Sequence, residues 1–211
     1  MGILQMDTMT AIYAAMLLPL LAMAGNMAFS DLKNVRDTFT LICAMATFGC
    51  VLVVLSNVGN GITEPVSLFM VFEGIDIAFN VEPLGLMFAL IGSGLWILTH
   101  IYGVGYMRGN NESHHARFFA CFCIAISSVI GIAFASNMFT LFLFYEILTV
   151  STYPLVAHKG TPDAIRGART YLAILIGTPI ALQLTVNNWT FVLTGTLDFT
   201  CLLYTFLHPR I

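Results

Sequence analysis

Residues 138–158 read MFTLFLFYEILTVSTYPLVAH, an apolar run broken by one carboxylate, Glu146. A helix rises about 1.5 Å per residue, so a stretch of this length matches the roughly 30 Å hydrocarbon core of a bilayer. Glu146 then lies roughly 10 to 12 Å below one end of the span, close to mid-membrane. An ionised side chain there costs about 2.5 to 3.5 kcal/mol on insertion scales, so it persists mainly where it faces a protein or water-filled interior. Glu146 is therefore the first candidate for a proton-transfer residue. The plainer reading is a protonated carboxyl that only hydrogen-bonds a neighbouring helix.

The rest of the chain places this run in a membrane protein. Of 211 residues, 58% are hydrophobic and 9% charged, with a mean hydropathy of +0.89. A soluble domain carries roughly 25% charged residues. The formal net charge of -3 comes with no basic stripe, so nucleic acid is not an expected partner. The five cysteines, Cys43, Cys50, Cys121, Cys123 and Cys201, form no C-x-x-C pair and read as small apolar filler. No cofactor fingerprint or Ser-His-Asp arrangement is present, and no cofactor or metal is expected.

Apolar runs at residues 9–29, 39–58, 84–107, 118–135, 138–158 and 170–186 predict an all-α polytopic membrane protein with six transmembrane helices, the last kinked or locally broken at Pro179. Ala22-Met-Ala24 imitates a signal-peptidase site, but no Lys or Arg precedes it, so the first helix is expected to be retained. Asp31, Lys33, Arg36 and Asp37 read as a polar turn after the first span. Residues 62–83 contain Glu64, Glu73, Asp76 and Glu82 without Lys or Arg, and alternate apolar with polar from Ile75 to Val81. That alternation beside Gly74 predicts a short surface hairpin between the second and third spans, its acids forming a solvated face.

Seven of the eight basic residues, Lys33, Arg36, Arg108, Arg117, Lys159, Arg166 and Arg169, fall in the loops after spans one, three and five or beside them, leaving Arg210 apart. Lys and Arg concentrate in short cytoplasmic loops, so the N-terminus is expected outside. His100, about 16 residues into the third span, is a candidate proton relay or an interfacial histidine bonded to a neighbouring helix. His158 suits the C-terminal dipole of the Glu146 helix, with proton entry as its functional reading. His114 and His115 read as loop residues.

Three stretches carry a family resemblance: NVEPLGLMFALIGSGLWILTHIYGVGYMRG (80–109), ARFFACFCIAISSVIGIAFASNMFTLFLFYEILTVSTYPLVAH (116–158) and AIRGARTYLAILIGTPIALQL (164–184). Together with F-x-x-Y-E followed by Y-P-L-V-A-H, they make residues 80–199 resemble the antiporter-like membrane subunits of respiratory complex I and of Mrp-type multisubunit sodium/proton antiporters, closest to the D-type subunit. The resemblance implies that Glu146 is the family's key proton-transfer acid. Glu82-Pro83 stands where the family has Asp-Pro. Relatives are built from two inverted five-helix repeats with broken helices and buried lysines, and this sequence matches only the start of the first.

The expected organisation is a two-helix region with hairpin at 1–83, antiporter-like helices at 84–199 and an unassigned tail at 200–211. The resemblance implies a proton-translocating subunit, or half-subunit, of a monovalent cation/proton antiporter, a transporter part rather than an enzyme. Its partners would be other membrane subunits, the lipid bilayer, protons and Na+ or K+, in a bacterial inner membrane. The competing readings are a non-transporting structural remnant and a subunit of a complex-I-like NADH-quinone oxidoreductase or membrane hydrogenase.

Overall fold

A computed structural model describes residues 7–59, 66–72, 75–110, 114–195, 197 and 199. Six helices dominate: α1 (Thr8–Ala28), α2 (Lys33–Gly59), α3 (Pro83–Gly109), α4 (His115–Ala133), α5 (Met138–Val156) and α6 (Pro162–Thr194). Each is long and apolar enough to cross a membrane. The protein is an all-α polytopic membrane protein, with one small hairpin of β1 (Val66–Phe72) and β2 (Ile75–Phe79) between α2 and α3.

Helix α1 packs against both α2 and α4, α2 against α3, and α4 against α5, while α6 packs on α5. Small side chains make the close approaches, because lipid supplies no hydrophobic force between helices and association rests on van der Waals contact. Ala11, Ala15, Ala22, Ala44 and Ala89 are fully buried. Gly85 shows the same requirement most sharply, since a Cβ there would run into the backbone carbonyl of Ala133 on α4. Gly85→Ala is therefore expected to destabilise the fold by about 1–3 kcal/mol, as an overpacked contact does. Gly49→Ala, where nothing lies within 4 Å, serves as the control. Unfolding of the two variants in detergent compares them, and equal stability would contradict the close α3–α4 contact.

The hairpin is more than a surface element. Strand β2 runs antiparallel to β1 and is stitched to the α4–α5 turn by Asn80 N–H to Phe134 O (2.9 Å) and Ser136 N–H to Ala78 O (2.9 Å). Phe79 is fully buried between Tyr13 of α1 and Phe144 of α5. Asp76 is not simply solvated either. Asn137, the N-cap of α5, donates to its carbonyl (2.8 Å) and to its carboxylate (3.2 Å) while accepting from Thr140 N–H. Glu64, Glu73 and Gly74, also part of the hairpin reading, lie outside the described residues.

Two boundaries differ from the sequence reading. Helix α2 begins at Lys33, so Arg36 and Asp37 lie in its first turns and are buried (2% and 8% exposed) rather than in a polar turn. Helix α6 is continuous through Pro179 for 33 residues instead of breaking there. Proline removes one backbone donor, which leaves the Leu175 carbonyl without its usual i→i−4 partner, and a membrane helix carries proline where its surroundings offset that single lost bond.

Successive helices alternate in direction, and the α1–α2, α3–α4 and α5–α6 connections share one end, opposite the hairpin. With the basic residues at that shared end facing the cytoplasm, cysteines introduced at Asn110 and Glu82 are expected to differ. An impermeant maleimide added outside whole cells, in a background lacking the native cysteines, should label Glu82→Cys and spare Asn110→Cys. The reverse pattern would invert the topology.

Candidate functional site

The polar interior gathers at the shared end. A stripe of α2 at spacings of four, three and four, Arg36, Thr40, Cys43 and Thr47, is buried. Asp37 binds Arg36 through Oδ1 (Nε at 2.9 Å, Nη2 at 2.8 Å) and Arg108 of α3 through Oδ2 (2.6 Å). One carboxylate thus holds two guanidiniums and fastens α2 to α3. The Arg36 guanidinium also lies 5.9 Å from the centre of the Phe119 ring on α4. Further in, Asn26 of α1 donates to Thr40 Oγ1 (2.9 Å) and its own Ala22 O (2.8 Å), with Cys123 Sγ at 3.8 Å.

His100 joins this cluster. It is 2% exposed, its Nε2 lies 3.0 Å from the main-chain carbonyl of Asp37, and its ring meets Phe119 edge-on at 5.1 Å. Because a carbonyl only accepts, Nε2 carries the proton, which leaves Nδ1 as an acceptor. Nδ1 has no partner among the described residues. The geometry therefore includes the interhelical bond that the plainer reading of His100 expects. His158, just past α5, stacks edge-on with Phe118 at 5.3 Å.

Glu146 stands apart. It lies eight residues into α5, about 12 Å from the helix start, with Oε1 shielded from solvent and unpartnered among the described residues. Phe144, two residues earlier, packs against Phe79 and towards Gly131 of α4. Two residues turn a helix by about 200°, so Glu146 projects from the side of α5 opposite that contact. The structure does not bring Glu146 and His100 together: no hydrogen bond or ion pair among the described residues links them. No group of His, Cys, Asp and Glu able to hold a metal occurs among the described residues.

The sequence reading missed the Arg36–Asp37–Arg108 clasp because three charges beside a turn look solvated. The readable signal was the buried Thr and Cys stripe of α2, which continues without a break back to Arg36.

The sequence profile described as NADH-ubiquinone oxidoreductase (complex I), chain 5 N-terminus, matches residues 69–119. The Na(+)/H(+) antiporter subunit A1 of Staphylococcus aureus is 24% identical over 172 residues, which is 80% of this chain and 21% of that protein. The chain matches the N-terminal part of the antiporter-like subunit family. This relative is an A-type subunit, where the motifs had pointed to the D-type; the broader family is what both support. Two solved structures share the fold. A chain of the Mrp complex from Dietzia sp. DQ12-45-1b superposes with a TM-score of 0.70 and 19% identity, over 90% of this chain and 20% of that one. A chain of the membrane-bound sulfane sulfur reductase, an archaeal respiratory membrane complex, gives 0.71 and 16%, over 88% and 28%. This chain thus spans about a fifth of the length of the curated relative it matches.

Proposed function

We propose that this chain forms the first membrane part of a proton-translocating subunit in a monovalent cation/proton antiporter, that Glu146 passes the proton, and that partner membrane subunits complete the path. The observation that carries the proposal is the Glu146 carboxyl itself. It sits midway along α5, on the side facing away from α4, with a shielded oxygen that no described residue satisfies. Buried acids within membrane spans mark ion and proton paths, and an unsatisfied one calls for a partner from outside the six helices. The two lysines, Lys33 and Lys159, lie at the ends of α2 and α5 rather than beside it.

A second reading keeps the same proton role but places the chain in a complex-I-like respiratory assembly. The complex I profile and the fold shared with the sulfane sulfur reductase complex favour it. The proposed setting is a bacterial inner membrane, and residues 84–199 are proposed to open the first five-helix repeat. His100 is kept as a candidate relay.

Because no cation pairs with Glu146 among the described residues, the chain alone is expected to exchange nothing. Vesicles reconstituted with this protein should show no cation-dependent pH change, and vesicles holding it together with the subunits that co-purify with it should show one. A pH change from the chain by itself would overturn the proposal.

A further inference from the structure

Between α3, α4 and the α5–α6 connection lies a cleft of about 460 Å³, lined mainly by apolar side chains that include Phe122 and Leu155. Its rim carries Lys159, and Ala164 in the first turn of α6 also lines it. The local sequence fixes this rim. Gly160 takes a left-handed conformation (φ 65°), which turns the chain directly after Lys159. Thr161 then caps α6 by accepting from Ala164 N–H at 3.2 Å, with Pro162 opening the helix. Lys159 makes no ion pair among the described residues. The nearby carboxylate, Asp163, is turned to solvent and lies 3.8 Å from Arg166. No acid among the described residues lines the cleft.

On the opposite wall Tyr102 and Tyr106 stack at 6.1 Å and stay exposed, as ring systems do at a membrane–water boundary. His100 lines the cleft from within, with no partner for its Nδ1 among the described residues.

We propose that the cleft holds an anionic phospholipid of the cytoplasmic leaflet, its phosphate on Lys159 at the α6 N-terminus and its acyl chain along α3 and α4. The charge argument selects it: the rim is cationic, the helix start adds positive potential, and basic pockets between membrane helices on the cytoplasmic side suit anionic headgroups. The proposal does not rest on the proton role assigned to Glu146.

Native mass spectrometry of the full chain, titrated with phosphatidylglycerol or phosphatidylcholine of identical acyl chains, tests it. Phosphatidylglycerol is expected to bind roughly five-fold better, the worth of one well-placed cation. Lys159→Gln should bring the two lipids level, while Lys33→Gln should leave the preference intact. Filling the cleft with Gly103→Leu, where a Cβ would already stand 3.3 Å from Phe119, should reduce retention of both lipids. Equal retention of the two lipids by the unaltered protein, or a preference that survives Lys159→Gln, would overturn the proposal.

Discussion

Asp37→Ala is expected to destabilise the protein by about 3–5 kcal/mol, because it leaves the guanidinium of Arg36 buried without its counter-charge. Arg36 is 2% exposed and has Asp37 as its ion-pair partner, so removing the carboxylate removes the group that offsets its desolvation. Arg108, whose side chain is 39% exposed, can turn to water instead. Arg108→Ala should therefore cost at most about 1 kcal/mol, because Asp37 keeps Arg36 as its partner and only the more exposed of the two guanidiniums is lost. The double variant Arg36→Met with Asp37→Ala should recover much of the loss, since the uncompensated charge is gone. Thermal unfolding in detergent measures all three. Equal losses for Asp37→Ala and Arg108→Ala would mean that the cluster is solvated and that the α2–α3 clasp is not as described.

The second large effect is on transport. Glu146→Gln keeps the shape of the side chain and its capacity to hydrogen-bond but cannot take up or release a proton in the working range. Stability of the isolated chain should change by less than about 0.5 kcal/mol, as expected where no partner is lost. Proton movement in a complete assembly should fall to background, because the path depends on a group able to change its protonation state.

The six spans were legible because lipid demands long apolar helices, and period and length alone announce them. The hairpin was legible from the alternation at Ile75 to Val81. Its role was not, because the bonds from Asn80, Ser136 and Asn137 that seat β2 on the α4–α5 turn join residues more than fifty apart in sequence. The start of α2 was misread for a physical reason: Asp37 offsets the charge of the buried Arg36 and also binds Arg108, and charges that look bound for water can be buried once paired. Pro179 misled in the opposite sense. Helix α6 runs on through it, because the loss of one backbone donor does not end a 33-residue helix. Glu146 was visible because it is the one carboxylate in a mainly apolar run of 21 residues, where a charge is costly. The direction it faces could be assigned only once Phe144 had been seated against Phe79.

The most direct measurement of the proton path is the pH change driven by added Na+ or K+ in inverted vesicles that carry the assembled complex, with Glu146 and with Glu146→Gln present at equal amounts. A cation-dependent pH change with Glu146, and none above empty vesicles with Glu146→Gln, is the predicted result. An undiminished change in the Glu146→Gln complex would contradict the assignment and place the proton path elsewhere.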